Sequence, residues 1–265
     1  MNIILGYFLA ILVGISLGLV GSGGSILSVP ILVYILKVEP VLATAYSLFI
    51  VGTTALVGGI QKAIQKLVDF KKVILFGVPT VIAVFITRML IIPIIPNIIK
   101  LSATFSVSKS VLIMVIFANV MLFASIKMIR PMKPVIINDN LKLNYPKIIF
   151  QGLLIGFVAG FVGAGGGFLI IPALLFLTKT PMKIAVGTSL FIVASQSLLG
   201  FIGDLSANQN IDWKLLITFS GLSIIGVFIG TLLSKKIPSE NLKTGFGYFV
   251  LLMGLYILSK ELFFN

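Results

Sequence analysis

Two clusters, Gly21-Ser22-Gly23-Gly24-Ser25 and Gly163-Ala164-Gly165-Gly166-Gly167, lie inside otherwise apolar stretches, and each would break a helix that ran through it. In lipid a broken helix leaves N–H and C=O groups without partners, so such a break survives only where it faces protein or a watery cavity. Without Cβ atoms the backbone can come close to a solute. A helix restarting near Ile26 or Phe168 would aim its N-terminal amides and positive dipole end at an anion. The chemistry on offer is therefore an amide cradle for a small oxyanion. The competing reading is close helix packing, which also fits the small-residue stripes Gly14/Gly18, Gly152/Gly156/Gly160 and Gly226/Gly230. A dinucleotide fingerprint does not fit, because Ile26 and Phe168 stand where the third glycine of G-x-G-x-x-G belongs.

Other polar side chains fall at helical spacing. Ser47 and Thr54 are seven residues apart and share a face, as do Ser189 and Gln196. They either line a cavity beside the breaks or hydrogen-bond between helices; Gln196 is the stronger candidate for the cavity, since an amide is costlier to place in a membrane. Arg88 interrupts the apolar run Val73 to Ile99. Snorkelling of its long side chain to the interface is the preferred reading over a place in an anion pathway. Asp204 is the acid nearest a span and the one candidate for proton coupling, but as a loop residue at a helix end it is expected to have no such role. With no Cys, no His and seven carboxylates, enzyme chemistry is poorly supported, and no catalytic residue, metal ligand or cofactor is assigned.

What must position these residues is a membrane protein. Hydrophobic residues make up 58% and charged residues 10% of the 265 positions, with a mean hydropathy of +1.20, so lipid is the solvent for most of the surface. The formal charge of +13 comes from lysines between apolar segments, where it orients the chain in a bilayer rather than binding nucleic acid. The apolar N-terminus lacks a basic start and a convincing cleavage site and reads as retained structure rather than a signal peptide.

The chain is also duplicated. Gly18 to Pro30 aligns with Gly160 to Pro172 at an offset of 142, with seven of thirteen positions identical. Lys37 then matches Lys179, Ser47-Leu-Phe-Ile-Val51 matches Ser189-Leu-Phe-Ile-Val193, and after one inserted residue Asp69-Phe-Lys71 matches Asp212-Trp-Lys214. The expected architecture is all-α, with a first membrane repeat over 1–130, a connecting loop over 131–147 and a second repeat over 148–265. Each repeat has a glycine-interrupted first segment (Ile3 to Leu36; Ile148 to Leu177) and three plainer helices, near 41–60, 73–98 and 106–128, then 183–202, 213–235 and 241–260.

The lysines discriminate between two threadings. If every segment crosses once, basic residues divide eleven against eight; if each interrupted segment re-enters as a hairpin, they divide fourteen against five. The second division obeys the positive-inside rule better and makes the halves an inverted repeat. The 18-residue first arm is nonetheless long enough to span outright.

The doubled motif G-x-G-G-[GS]-x-[LF]-x-x-P, each copy followed by a helix containing Ser-Leu-Phe, resembles the TauE/SafE family of sulfite and organosulfonate exporters. Gly23, Gly24 and Pro30 carry it in the first half, and Gly165, Gly166, Gly167 and Pro172 in the second; Ser25 departs from it. The resemblance implies transport of sulfur-containing anions in a multi-pass protein of the cell membrane, with a small anion and the lipid bilayer as partners. Alternating access around the paired breaks is the expected mechanism, a gated anion channel and a substrate-free scaffold are the alternatives, and self-association stays open.

Overall fold

Lipid-length apolar segments with good caps become helices here, and proline and glycine decide where they stop. The computed structural model describes residues 2–100, 106–130, 144–205, 211–234 and 239–263. Helix α1 (Asn2–Val20) runs into a 3-10 stretch (Gly21–Leu27), the short helix α2 (Ser28–Pro30) and a π turn (Ile31–Ile35). Helix α3 (Pro40–Ile64) follows, capped by the Glu39 side chain, which accepts from the Leu42 N–H. Then come α4 (Phe70–Ile86), a π turn (Thr87–Ile91) and α5 (Ile92–Ile94), which form one continuous apolar segment. After a strand pair, α6 (Lys109–Ile129) closes the first half. The second half has α7 (Tyr145–Val162), α8 (Gly167–Leu177), α9 (Met182–Leu205), α10 (Trp213–Leu233) and α11 (Ser239–Phe263).

Six helices among the described residues are long and apolar enough to cross a membrane: α3, α4 with its extension, α6, α7, α9 and α10. Their outer faces are built for lipid. Phe70, Ile74, Val78, Ile82 and Ile86 recur every four residues along α4 and are all exposed, a stripe that water would not tolerate. Helices α3 and α9 lie at the centre and bury most of their length.

The halves interlock. Helix α1 packs on α10 and its counterpart α7 packs on α4, so each interrupted segment leans on the other half; α3 packs on α9 and α6 on α11. The small-residue stripes make the cross-pairs close. A Cβ on Gly14 would overlap the Ser223 carbonyl, and one on Gly18 would fall 2.5 Å from the Val227 carbonyl oxygen. Across α7 and α4, a Cβ on Gly156 would fall 2.5 Å from the Thr80 carbonyl oxygen. For these stripes the packing reading is the one realised.

The duplication extends to single hydrogen bonds. Asp69 and Asp212 cap α4 and α10 through side-chain oxygens that accept from Lys72 N–H and Leu215 N–H. The Asp69 N–H donates to Thr188 Oγ1 at 3.0 Å and the Asp212 N–H to Tyr46 Oη at 2.6 Å, again across the halves. Lys37 and Lys179 both adopt positive φ, and each sits before an N–H that reaches back six residues, Val38 to Leu32 and Thr180 to Leu174. In both, a left-handed lysine stands just past the helix end, where glycine is usual.

Several boundaries differ from the expected ones by a few residues, and three of the differences have a consequence for the bundle. The segment expected over 73–98 stops at Ile94, because Pro93 and Pro96 withhold the N–H groups that would continue it. Ile98–Lys100 then pairs antiparallel with Ser106–Ser108, so the next helix starts at Lys109 rather than at 106. Helix α9 continues to Leu205 and takes Asp204 into the bundle. Most of the connecting loop, 131–143 with Asn138 to Asn140, lies outside the described residues.

Candidate functional site

The two breaks share a sequence motif and fold differently. In the first, Gly21 is left-handed (φ 74°), and the chain continues as a 3-10 stretch. In the second, Gly163 (φ 69°), Gly165 (φ 66°) and Gly166 (φ 57°) are all left-handed, a region that side chains rarely enter. Gly163 ends α7, its N–H returning to the Ala159 carbonyl; Gly166 opens α8 without a side-chain cap. The repeat relation persists in the surroundings. Gly21 abuts Val186 on α9, and Gly163 abuts the equivalent residue on α3, Thr44.

The second break is buried and tightly surrounded in this conformation; of the first, Gly21 and Ser25 are buried. A Cβ on Gly165 would fall 2.7 Å from Ser197 Oγ, and one on Gly166 2.6 Å from the Ala159 Cβ. A cavity of about 1000 Å³ opens between α6, α7 and α8 and reaches Phe168, the second residue of α8. Its wall is largely apolar, with Asn119, Lys147 and Gln151 as polar members.

Arg88 completes the second break. It does not snorkel: the side chain is wholly buried, in the π turn of α4, a local distortion common at functional positions. Its Nη1 donates to Thr44 Oγ1 at 3.0 Å and to Asp204 Oδ2 at 3.2 Å. Nε and Nη2 are buried without an acceptor, and a Cβ on Gly163 would fall 2.5 Å from Nη2. Asp204 is thus no loop acid but a buried partner of Arg88. Beyond the π turn, Lys109 Nζ donates to the Ile92 carbonyl, which Pro96 cannot satisfy.

The other expected site residues divide. Gln196 reaches the second break, its Nε2 donating to the Gly165 carbonyl while Oε1 has no partner. Ala164 and Gly167 are buried within the same turn. Ser47 shares a hydrogen bond of 2.5 Å with Ser28, whose hydroxyl also reaches the Ser25 carbonyl, so Ser47 and Ser25 belong to the wall behind the first break. Thr54 donates to Ile50 O and Ser189 to Val186 O, each within its own helix. The Ser22 side chain and the surroundings of Gly23 and Gly24 lie outside the described residues. Sequence reasoning passed over Thr44 and Ser197. Ser197 follows Gln196, and its hydroxyl is buried and unpartnered beside Gly165; neither residue shares the Ser47/Thr54 spacing that drew attention to that face.

A helical bundle with lipid-facing outer stripes, helix breaks packed against its two central helices and a cation beside one break defines the class, a multi-pass membrane transporter. The chain belongs to the TauE/SafE sulfite exporter family, whose profile it matches over residues 7–257. It is 28% identical over 256 residues to a probable membrane transporter protein of Xylella fastidiosa strain Temecula1, spanning 94% of this chain and 92% of that one. It is 24% identical over 283 residues to the probable membrane transporter protein YunE of Bacillus subtilis, spanning 99% and 100% of the two chains. Over 122 residues it is 35% identical to the probable membrane transporter protein MJ0441 of Methanocaldococcus jannaschii, spanning 44% of this chain and 45% of that one. No solved structure matches it.

Proposed function

We propose that this protein moves a small anion, a sulfur oxyanion or sulfonate such as sulfite, across the cytoplasmic membrane by alternating access of its two halves around the paired glycine breaks. The observation that carries the reading is Arg88, a cation held inside an apolar bundle with donors to spare, against a turn of bare backbone. A charge is retained in such a place when a solute or pathway uses it. The close packing of the second break suits an occluded carrier rather than an open pore, because solute reaches Gly163 to Gly167 only when neighbouring helices part.

The re-entrant threading has independent support. A Cβ on Gly6 would fall 2.5 Å from Leu36 Cδ2, so the start of α1 meets the end of the segment that follows the first break. Together with the fourteen-to-five division of basic residues, this favours an inverted repeat. With the lysine-rich side cytoplasmic, the membrane potential drives anion export by about 2.3 kcal/mol per charge per 100 mV, without a coupled proton.

Reconstituted vesicles loaded with radiolabelled sulfite test the proposal. Saturable, protein-dependent efflux that a valine at Gly166 or Gly24 abolishes is the expected outcome. Current that rises with concentration without saturating would identify a channel, and absence of flux for sulfite, thiosulfate, sulfonates and carboxylates alike would remove the transport reading.

A further inference from the structure

An arginine carries five N–H donors in a fixed planar fork. On Arg88, Nη1 has two, and both are used, one on Thr44 and one on Asp204. The remaining three, on Nε and Nη2, have no acceptor although the side chain is fully buried. Nε–H and one Nη2–H point in parallel from one edge of the guanidinium, the edge that grips two oxygens of a single anion at once. Asp204 and Thr44, anchored at Nη1, hold that edge in place and leave it free.

Nη2 faces Gly163, where a Cβ would stand 2.5 Å away. Two residues on, Gly165 meets Ser197, whose hydroxyl is unpartnered, and accepts from Gln196, whose Oε1 is also unpartnered. Among the described residues, four of the seven buried polar side-chain atoms lacking a partner belong to Arg88, Gln196 and Ser197. Buried polar groups are ordinarily satisfied, so their convergence on one turn marks a place where another molecule supplies the missing bonds.

We infer that the Nε/Nη2 edge of Arg88 is the recognition element of the transport site, and that it selects anions presenting two oxygens side by side, sulfite, sulfonate or carboxylate, over spherical halides. This rests on the transport reading above and specifies how its substrate is read. The Ser197 hydroxyl and the backbone of the second break contribute the remaining contacts. The first break has no equivalent edge, because the repeat counterpart of Arg88 is Thr231. The two halves therefore divide the work, the second break binding and the first completing the enclosure.

The test is titration of the full-length protein in lipid nanodiscs with sulfite, methanesulfonate, acetate and chloride at constant ionic strength, read by calorimetry. The wild type is expected to bind the three oxyanions saturably, with chloride failing to compete. Arg88→Lys keeps the charge and the pairing with Asp204 but loses the two-donor edge, and is expected to weaken oxyanion binding about tenfold or more. The double variant Arg88→Met/Asp204→Leu removes the ion pair without stranding a charge; it is expected to melt near the wild-type temperature and to bind none of them. Lysine or double-variant affinities within about twofold of wild type, or equal binding of chloride, would overturn the inference while leaving anion transport standing. A wild type that neither binds nor moves any of the four anions would take down the transport reading itself.

Discussion

Arg88 Nη1 and Asp204 Oδ2 lie 3.2 Å apart although 116 residues separate them and they belong to different halves of the duplicated chain. Helix α4 contributes the cation and α9 the carboxylate, and these helices pack directly on each other. The pair is one-sided: at the repeat-related positions stand Thr231 and Lys62, which cannot form it. The duplicated chain thus carries an ion pair that its repeat does not reproduce.

Breaking that pair from one side strands a buried charge, which typically costs about 3–5 kcal/mol, whereas replacing both ends with apolar groups of similar size can be neutral. Asp204→Leu is therefore expected to unfold at a markedly lower temperature than Arg88→Met/Asp204→Leu, measured by thermal denaturation in detergent. Equal melting temperatures for the two would argue that the pair is already hydrated.

Glycine replacements should sort by backbone and space. Gly165→Ala forces a left-handed residue against Ser197 Oγ and is expected to destabilise the protein by about 1–3 kcal/mol and to stop transport. Gly221→Ala, on α10 with nothing within 4 Å of its Cβ, is expected to leave transport intact and to stabilise by up to about 1 kcal/mol. Melting curves and vesicle flux on the same preparations check both.

The repeat-related caps offer a test of structural equivalence. Tyr46→Phe and Thr188→Val each remove the acceptor of an aspartate N–H, from Asp212 and Asp69 respectively. Each is expected to cost about 0.5–1.5 kcal/mol, and the two losses should add in the double variant because the sites are separate. Strong non-additivity in unfolding experiments would count against independent, equivalent joints.

Threading can be read by chemistry, since the chain has no cysteine of its own. With a hairpin in each half, Lys66→Cys and Lys183→Cys fall on the same side and Lys37→Cys on the other. An impermeant maleimide applied to sealed vesicles should then label the first two together. If Lys66→Cys and Lys183→Cys react from opposite faces, each interrupted segment crosses outright and the inverted repeat is lost.

Much was legible without coordinates, and for physical reasons. Lipid as solvent demands long apolar helices, so composition and run length marked the spans, and the 142-residue offset between Gly18–Pro30 and Gly160–Pro172 marked the duplication. Left-handed glycines end α7 and open α8 where the motif lies, because few other residues tolerate that backbone. The fate of Arg88 was not legible. Spacing along one helix cannot tell whether a long cation reaches out to water or inward to a partner, and its partner, Asp204, lies past the helix expected over 183–202 and inside the one that forms, Met182–Leu205. Nor could periodicity foretell that the same glycine motif would stay a 3-10 stretch in one half and unwind in the other. Local sequence determined the segments and their breaks; only the interlocking of the halves, which sets α4 against α9 and Gly163 against Thr44 and Arg88, decided which break acquired a charge.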